Sequence, residues 1–166
     1  MSHRNPSQPL ELDAIAWKIL EALQQNARLS FAELGRKVGL STPAVAERVH
    51  RLEEAGILTG YHAAINLQRV GLPIRVLVRL TIPGGEAQMG RAVAAMKDLA
   101  EIGRCHRITG AESFVIEANV ASIRHLEALI DRLSALGATS TSTVLSSPIE
   151  RREYHAAQIE SFRRYL

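Results

Sequence analysis

The chain has 166 residues, enough for one domain of ordinary size or two small ones. Hydrophobic residues make up 46% and charged residues 22%, which argues against disorder, and no apolar run is long enough to cross a bilayer. The net charge of +3 permits a nucleic-acid partner without requiring one. Residues 1–60 hold as many acidic as basic side chains, so only their placement can indicate DNA binding.

The single cysteine and the N-terminus both bear on where the protein works. Cys105 cannot form a disulfide within the chain, so a reducing compartment is its natural home and we expect a cytoplasmic protein. Residues 1–11 carry Pro6 and Pro9 without an apolar core, which predicts a flexible arm and not a signal peptide or an anchor. No membrane partner is expected.

The first two predicted helices have clear start and stop signals. Asp13 is a good N-cap for the first helix, whose apolar residues recur on one side. The second helix begins with a capping box between Ser30 and Glu33. It ends at Gly39, because glycine adopts the left-handed conformation without steric cost.

A third helix follows almost at once. Ser41 is its predicted N-cap, Pro43 is tolerated in the first turn, and Gly56 ends it. A narrow apolar seam runs along one side, formed by Val45, Val49 and Leu52. The opposite side is polar, and a short glycine turn before a helix of this kind is the layout of a helix-turn-helix.

A helix that enters the major groove must keep its outer side free of core contacts. The predicted DNA contacts on the third helix are Ser41, Thr42, Pro43, Ala44 and Glu47 near the bases, with Arg48 and Arg51 reaching phosphates or guanine edges. On or beside the second helix, we predict phosphate contacts from Ser30, Arg36 and Lys37. The alternative is a generic three-helix bundle whose polar side is simply solvated.

The rest of the chain predicts an α+β fold. Alternating residues from Ile74 to Ile82 predict a strand, and the pattern continues as helix, strand, strand, helix and strand, which is the ferredoxin-like βαββαβ order. Ser122 is expected to cap the second of these helices and Gly137 to end it. Leu77, Val115 and Val144 lie on the strand faces away from the helices, so we expect two sheets to pair through this side in a homodimer.

Enzymatic and metal-dependent functions are poorly supported. No nucleotide-binding glycine fingerprint is present, and Cys105 and His106 point to opposite faces of one strand, so no metal site and no cofactor are expected. No nucleophile, base and acid can be assembled into a catalytic set. An enzyme built on the ferredoxin-like domain remains the first rival, and a nucleoid-associated architectural DNA-binding protein without effector response is the second.

The residues of the predicted helix-turn-helix resemble the Lrp/AsnC (feast/famine) family of bacterial and archaeal regulators. The resemblance is carried by the segment Leu29–Val49, LSFAELGRKVGLSTPAVAERV, and by Arg51–Tyr61, RLEEAGILTGY, and it runs from about Leu12 to Ser147. One departure is Ala16, where the family has the second acid of its opening L-D-x-x-D. We expect that change to alter the capping or surface contacts of the first helix, not function.

This resemblance implies a sequence-specific transcription regulator for double-stranded DNA, modulated by a small effector. It implies a winged-type, three-helix DNA-binding domain over residues 12–56, a linker strand over 57–71 that pairs with a second subunit, and a ferredoxin-like sensing and assembly domain over 72–147. Homodimers in the family often assemble into octamers. Within this linker, Ile57–Asn66 reads as the strand itself, and the alternative is an ordinary edge strand.

The family binds an amino-acid effector at a turn that corresponds to Thr109, Gly110, Ala111, Glu112 and Ser113. Ser113 stands where the family usually has aspartate, and Glu112 is expected to point to the other side of the strand. An amino acid or a related metabolite is therefore the expected effector, and a plain glycine turn is the alternative.

Residues 148–166 form a C-terminal tail. Ile149, Ile159, Phe162 and Leu166 could line an amphipathic helix with several arginines. Packing on a neighbouring subunit and contact with DNA are both open interpretations.

Overall fold

The computed structural model describes residues 11–165, so the predicted arm lies outside the described residues except for Glu11, as does Leu166 at the end of the tail. The described chain divides into two compact units. One contains the residues up to Ala63 together with those from Ile149 onward, and the other is Ala64–Pro148. No helix in the described part is long and apolar enough to span a membrane.

The first unit is built on three helices, α1 (Ala14–Gln25), α2 (Phe31–Val38) and α3 (Thr42–Glu54). Their predicted caps are confirmed: the side chains of Asp13, Ser30 and Ser41 each accept a hydrogen bond from a first-turn amide. The helices enclose one apolar core, formed by Ala16, Ile19, Leu20, Leu23, Leu34, Val38, Val45, Val49 and Leu52. Ala16 is part of this core, and its amide donates to Asp13 Oδ1 at 2.7 Å, so the missing family acid does not uncap α1.

The turn between α2 and α3 depends on two glycines. Gly39 adopts φ 76°, as predicted for the residue that ends α2. Gly35 lies inside α2, where the Leu40 amide donates to its carbonyl at 3.0 Å. A Cβ on Gly35 would lie 2.6 Å from the Leu40 carbonyl oxygen, so the tight turn requires glycine there as well.

The second unit confirms the βαββαβ order. It contains β1 (Ile74–Thr81), α4 (Glu86–Lys97), β2 (Ile102–Arg107), β3 (Phe114–Val120), α5 (Ile123–Ser134) and β4 (Ala138–Thr143). The strands form one antiparallel sheet in the order β2-β3-β1-β4, so β2 and β4 are its edges.

The two faces of this sheet differ in character. The side chains of Val78, Leu80 and Ile116 lie on the face that α4 and α5 cover, within the buried core. Residues that alternate with them lie on the opposite face, which is mixed: Arg75, Leu77, Arg79, Arg104, His106, Val115, Glu117, Ser140 and Ser142. Val144 continues β4, because its amide donates to the Arg75 carbonyl at 2.9 Å, and it extends the same face.

The segment Ile57–Asn66, predicted to pair with a second subunit, forms no strand within the single chain. This segment pairs with no strand of the described residues and leads into a 3₁₀ turn at Leu67–Val70. The physical reason is that an extended segment becomes a strand only when another strand satisfies its backbone groups. Residues 11–63 likewise contain no strand within the single chain, so the wing and the pairing with a second subunit stay predictions.

Gly137 has a different role from the one predicted. Helix α5 ends at Ser134 with Ala135 as its C-cap, and Ser122 caps its start as expected. A Cβ on Gly137 would lie 2.2 Å from the Thr81 carbonyl oxygen. Glycine is therefore required at position 137 because the chain passes close to the end of β1, not because a helix stops there.

The tail forms the short helix α6 (Ala156–Phe162) and a 3₁₀ turn at Arg163–Tyr165. It is attached to α1 of its own chain by polar contacts. The side-chain amide of Gln24 donates to the Tyr154 carbonyl at 2.9 Å and accepts from the Tyr154 amide at 3.0 Å. Glu21 Oε1 accepts from the Ala156 amide at 3.3 Å.

Candidate nucleic-acid interface and effector loop

Helix α3 presents two distinct sides. Its seam of Val45, Val49 and Leu52 is 0%, 1% and 5% exposed, which fixes the helix against α1 and α2. On the outer side, the predicted contacts Ser41, Thr42, Pro43, Glu47 and Arg51 are exposed, and Ala44 is half-buried. The described part of the chain thus leaves this side free to meet a partner.

The start of α3 is suited to close approach. Ser41 Oγ accepts from the Ala44 amide at 3.4 Å, and Pro43 occupies the first turn without leaving an unsatisfied amide. The remaining free first-turn amides and the positive end of the helix dipole favour an anionic partner. Arg51 Nε donates to Glu47 Oε1 at 2.9 Å one turn apart, an exposed pair that can exchange for other partners.

The residues predicted to contact phosphate on or beside α2 differ in whether their side chains already have partners within the chain. Arg36 and Lys37 are exposed, and neither forms an ion pair with a described residue. Ser30 is already engaged, since its hydroxyl donates to Glu33 Oε2 at 2.7 Å and its amide donates to the same oxygen at 2.8 Å. These bonds from Ser30 lower the pKa of the Glu33 carboxyl.

Arg48 is held inside the unit by a contact that the sequence did not reveal. Its guanidinium Nη1 lies 2.6 Å from Asp13 Oδ2, with side-chain exposures of 35% for Arg48 and 54% for Asp13. Hydrogen bonds from the Ala16 amide and from Arg48 lower the pKa of Asp13. Asp13 therefore both caps α1 and binds α3, a link that helical spacing cannot show because the two residues belong to different helices.

The predicted effector residues lie together in the loop between β2 and β3. Thr109, Gly110 and Ala111 are exposed, and Gly110 adopts φ 120°. Glu112 is half-buried and forms no ion pair with a described residue, so the loop presents one carboxylate that is free to bind an ammonium group.

Ser113 has a structural role in the same loop. Its hydroxyl accepts from the Ile82 amide at 3.1 Å, and its own amide donates to the Leu80 carbonyl at 2.9 Å. The Ser113 carbonyl accepts from the Ile108 amide at 3.0 Å. Serine at this position ties the loop to the end of β1 instead of offering a second carboxylate.

A cavity of about 440 Å³ lies elsewhere in the second unit, between α4 and the edge strand β2. Its lining includes Met96, Cys105 and Arg107 but no residue of the loop at 109–113. The residue pattern gave no sign of it, because it depends on how far α4 stands from the sheet edge.

A glycine-turned helix pair with an open outer helix, followed by a βαββαβ unit, defines the class of DNA-binding regulators that carry a separate sensory domain. Two family models match the chain. Residues 12–53 match the AsnC-type helix-turn-helix domain, and residues 75–154 match the Lrp/AsnC ligand binding domain.

Individual proteins agree with these family models. The chain is 34% identical over 137 residues to the HTH-type transcriptional regulator LrpC of Bacillus subtilis, covering 82% of this chain and 94% of that protein. The solved structure of that regulator superimposes with a TM-score of 0.80 at 33% identity, covering 86% of this chain and 100% of the other. The leucine-responsive regulatory protein of Haemophilus influenzae is 35% identical over 139 residues, which cover 81% of this chain and 84% of that protein.

A further solved structure is a transcriptional regulator of Neisseria meningitidis in complex with L-Met. It has a TM-score of 0.82 and 25% identity, and covers 90% of this chain and 99% of that one. The chain belongs to the Lrp/AsnC family of transcription regulators. It is accordingly a DNA-binding regulator with a ligand-binding domain, and members of this family regulate transcription and are not enzymes.

Proposed function

We propose that this regulator reads a dyad site in double-stranded DNA with the outer side of α3, as a homodimer that assembles further and responds to a small effector in the cytoplasm. The observation that carries this proposal is the exposure of the outer side of α3, from Ser41 through Arg51, over a fully buried inner seam. Two such helices, one from each protomer, would enter successive major grooves.

The side chains have separate proposed roles. Thr42, Pro43, Ala44, Glu47 and Arg51 lie toward the bases, and Ser41 opens the helix. Ser30, Arg36 and Lys37 contact phosphates. Arg48, held by Asp13, positions α3 and reaches DNA only if that ion pair exchanges.

The charge contribution can be tested with two lysines. Lys37→Gln removes a proposed phosphate contact, so we expect weaker binding to the upstream region of the protein's own gene and a salt slope smaller by about one. Lys18, exposed on α1, provides the matched control Lys18→Gln, which should leave both quantities unchanged. Equal effects of the two substitutions would contradict the proposed orientation of the DNA.

Sequence choice separates a specific regulator from an architectural DNA-binding protein. At one fixed salt concentration, we expect the upstream fragment to bind at least about 1000-fold more tightly than random DNA of equal length. Equal affinities for the two fragments would favour the architectural alternative. Footprints one helical turn apart would support the dyad arrangement.

We propose an amino acid or a related metabolite as the effector, bound at the loop that includes Gly110 and Glu112. Support comes from the free carboxylate of Glu112 and from the L-Met complex of the Neisseria regulator. Calorimetry across the common amino acids tests this directly. Glu112→Gln should abolish the heat of binding, whereas Glu127→Gln, an exposed acid on α5, should not.

A further inference from the structure

The cavity between α4 and β2 has an apolar body. Its aliphatic, sulfur and aromatic lining consists of Val93, Met96, Leu99, Ile102 and Phe114. Met96 and Phe114 are buried, so these surfaces are fixed by the core and do not depend on flexible loops. A volume of about 440 Å³ falls within the range that small-molecule sites occupy.

Strand β2 supplies the open side of this cavity. It is an edge strand, with β3 as its one partner in the described sheet. Cys105 pairs in register with Ile116, and Arg107 pairs with Phe114, so both side chains lie on the face that the helices cover. Cys105 Sγ lies 4.0 Å from Met96 Sδ, which places the thiol at the cavity wall.

The charges around the cavity are of one sign. Lys97 and Arg107 contribute their charged side chains to the lining, and no aspartate or glutamate lines the cavity. Neither Lys97 nor Arg107 forms an ion pair with a described residue. Arg104 also borders the cavity, but its side chain lies on the opposite sheet face, where Nη1 is 3.8 Å from Glu117 Oε2. Cations without acids at the rim of an apolar cavity favour an anion and oppose an ammonium group.

From this arrangement we propose that the cavity binds an apolar monocarboxylate that lacks an α-ammonium group, such as an aryl or branched aliphatic acid. The carboxylate would meet Arg107 and Lys97, and the apolar body would pack against Met96 and Phe114. The proposal rests on the effector response proposed above and adds a second site, because the loop at 109–113 is no part of the lining. The α-ammonium group would distinguish the ligands of the two sites.

Arg107 and Phe114 also offer a route from this cavity to the loop. They are register partners at the base of the segment 108–113, and both line the cavity. A ligand that orders Arg107 therefore changes the last paired residue before the loop. Carboxylate binding in the cavity should consequently change the affinity of the loop for an amino acid. Amino-acid binding at the loop should change the affinity of the cavity for the carboxylate by the same factor.

Three probes that share one aromatic ring test the proposal on the full-length protein by calorimetry. We expect 3-phenylpropanoate to bind at least 10-fold more tightly than phenylalanine at this site, and 2-phenylethylamine not to bind. Arg107→Gln and Lys97→Gln should each weaken 3-phenylpropanoate at least 5-fold, with thermal melting reporting that the fold is retained. Glu127→Gln, on the exposed side of α5, serves as the control and should leave this affinity unchanged.

Cys105 provides an independent readout. Its alkylation rate should fall at least 5-fold at saturating 3-phenylpropanoate and remain unchanged with 2-phenylethylamine. Absence of 3-phenylpropanoate binding at 10 mM would overturn the inference, as would loss of its binding in Glu112→Gln alone. If amino acids still bind through Glu112 in that case, the proposed function stands and only the second site fails.

Discussion

Asp13 serves two structural elements with one carboxylate. Oδ1 accepts from the Ala16 amide and caps α1, while Oδ2 binds the Arg48 guanidinium on α3. Both side chains are partly exposed, so we expect the ion pair itself to contribute under about 1 kcal/mol. Its main consequence is the placement of α3 on α1.

Arg48→Ala and Asp13→Asn test this role together. Asparagine still caps a helix, so each change removes the ion pair while α1 keeps its cap. We expect both variants to weaken DNA binding slightly and equally, and the double variant to add nothing further. A salt slope smaller by about one in Arg48→Ala alone would instead identify Arg48 as a phosphate contact.

Gly35 is the second residue whose identity the turn requires. Alanine at this position would bring Cβ to 2.6 Å from the Leu40 carbonyl oxygen, so Gly35→Ala should lower the free energy of unfolding by about 1–3 kcal/mol. Gly90 lies in α4 with no atom near a built Cβ, and Gly90→Ala should raise stability by up to about 1 kcal/mol. Urea denaturation measures both, and a stabilised Gly35→Ala would show that the turn can relax.

At the scale of elements, Glu101 fastens the start of β2 to α5. Its Oε1 lies 2.8 Å from His125 Nε2 and 2.5 Å from Arg132 Nη2, and the side chain is 11% exposed. Burial raises the pKa of Glu101, but hydrogen bonds from Arg132 and His125 outweigh it and bring the pKa from 4.5 to about 2.

The sign of the pH dependence follows from this lowered pKa. The ionised carboxylate stabilises the fold above the unfolded pKa of 4.5, and this stability is lost as pH falls toward 2. We expect Glu101→Gln to lose about 1–3 kcal/mol at pH 7 and to flatten the stability curve between pH 5 and 2. For Glu127→Gln, on the exposed side of α5, the free energy of unfolding should vary with pH as it does in the wild type. If this pH dependence were the same in the wild type and both variants, Glu101 would not be the group responsible.

Local signals predicted most elements because they act within a few residues. The caps at Asp13, Ser30, Ser41 and Ser122 each bond to an amide nearby in sequence, so their positions follow from spacing. The predicted strand over 57–66 differs from these caps, because a strand forms only where another strand satisfies its backbone groups and the predicted partner belongs to a second subunit. The close approach of Gly137 to Thr81 could not be predicted from local spacing either, because the two residues are far apart in the chain.

The candidate sites also differ in whether they could be predicted from local sequence. The outer side of α3 and the effector loop are contiguous in sequence, and the family motifs mark both. The Asp13–Arg48 pair and the cavity at α4 and β2 depend on packing between elements, and no periodicity or spacing encodes them.

At the scale of the whole molecule, the open sheet face is the surface that we propose to pair two protomers. Leu77, Val115 and Val144 lie on it between charged neighbours. Leu77→Glu would bury a carboxylate in the pairing surface. We therefore expect the dissociation constant of the dimer, measured by light scattering, to rise at least 100-fold. Ile123→Glu, exposed at the start of α5 on the other side, should leave the mass unchanged. A monomeric wild type at micromolar concentration would refute the pairing.

The path of the chain determines what a cut between the two units would release. The polypeptide leaves the three-helix unit after Ala63 and rejoins it at Ile149. The βαββαβ unit is therefore an insertion within the sequence of the three-helix unit. A protease that cleaves between residues 64 and 73 would leave two fragments that Gln24 and Glu21 still fasten through the tail. We expect such a nicked regulator to elute as one species, and Gln24→Ala combined with Glu21→Ala to release the fragments from each other.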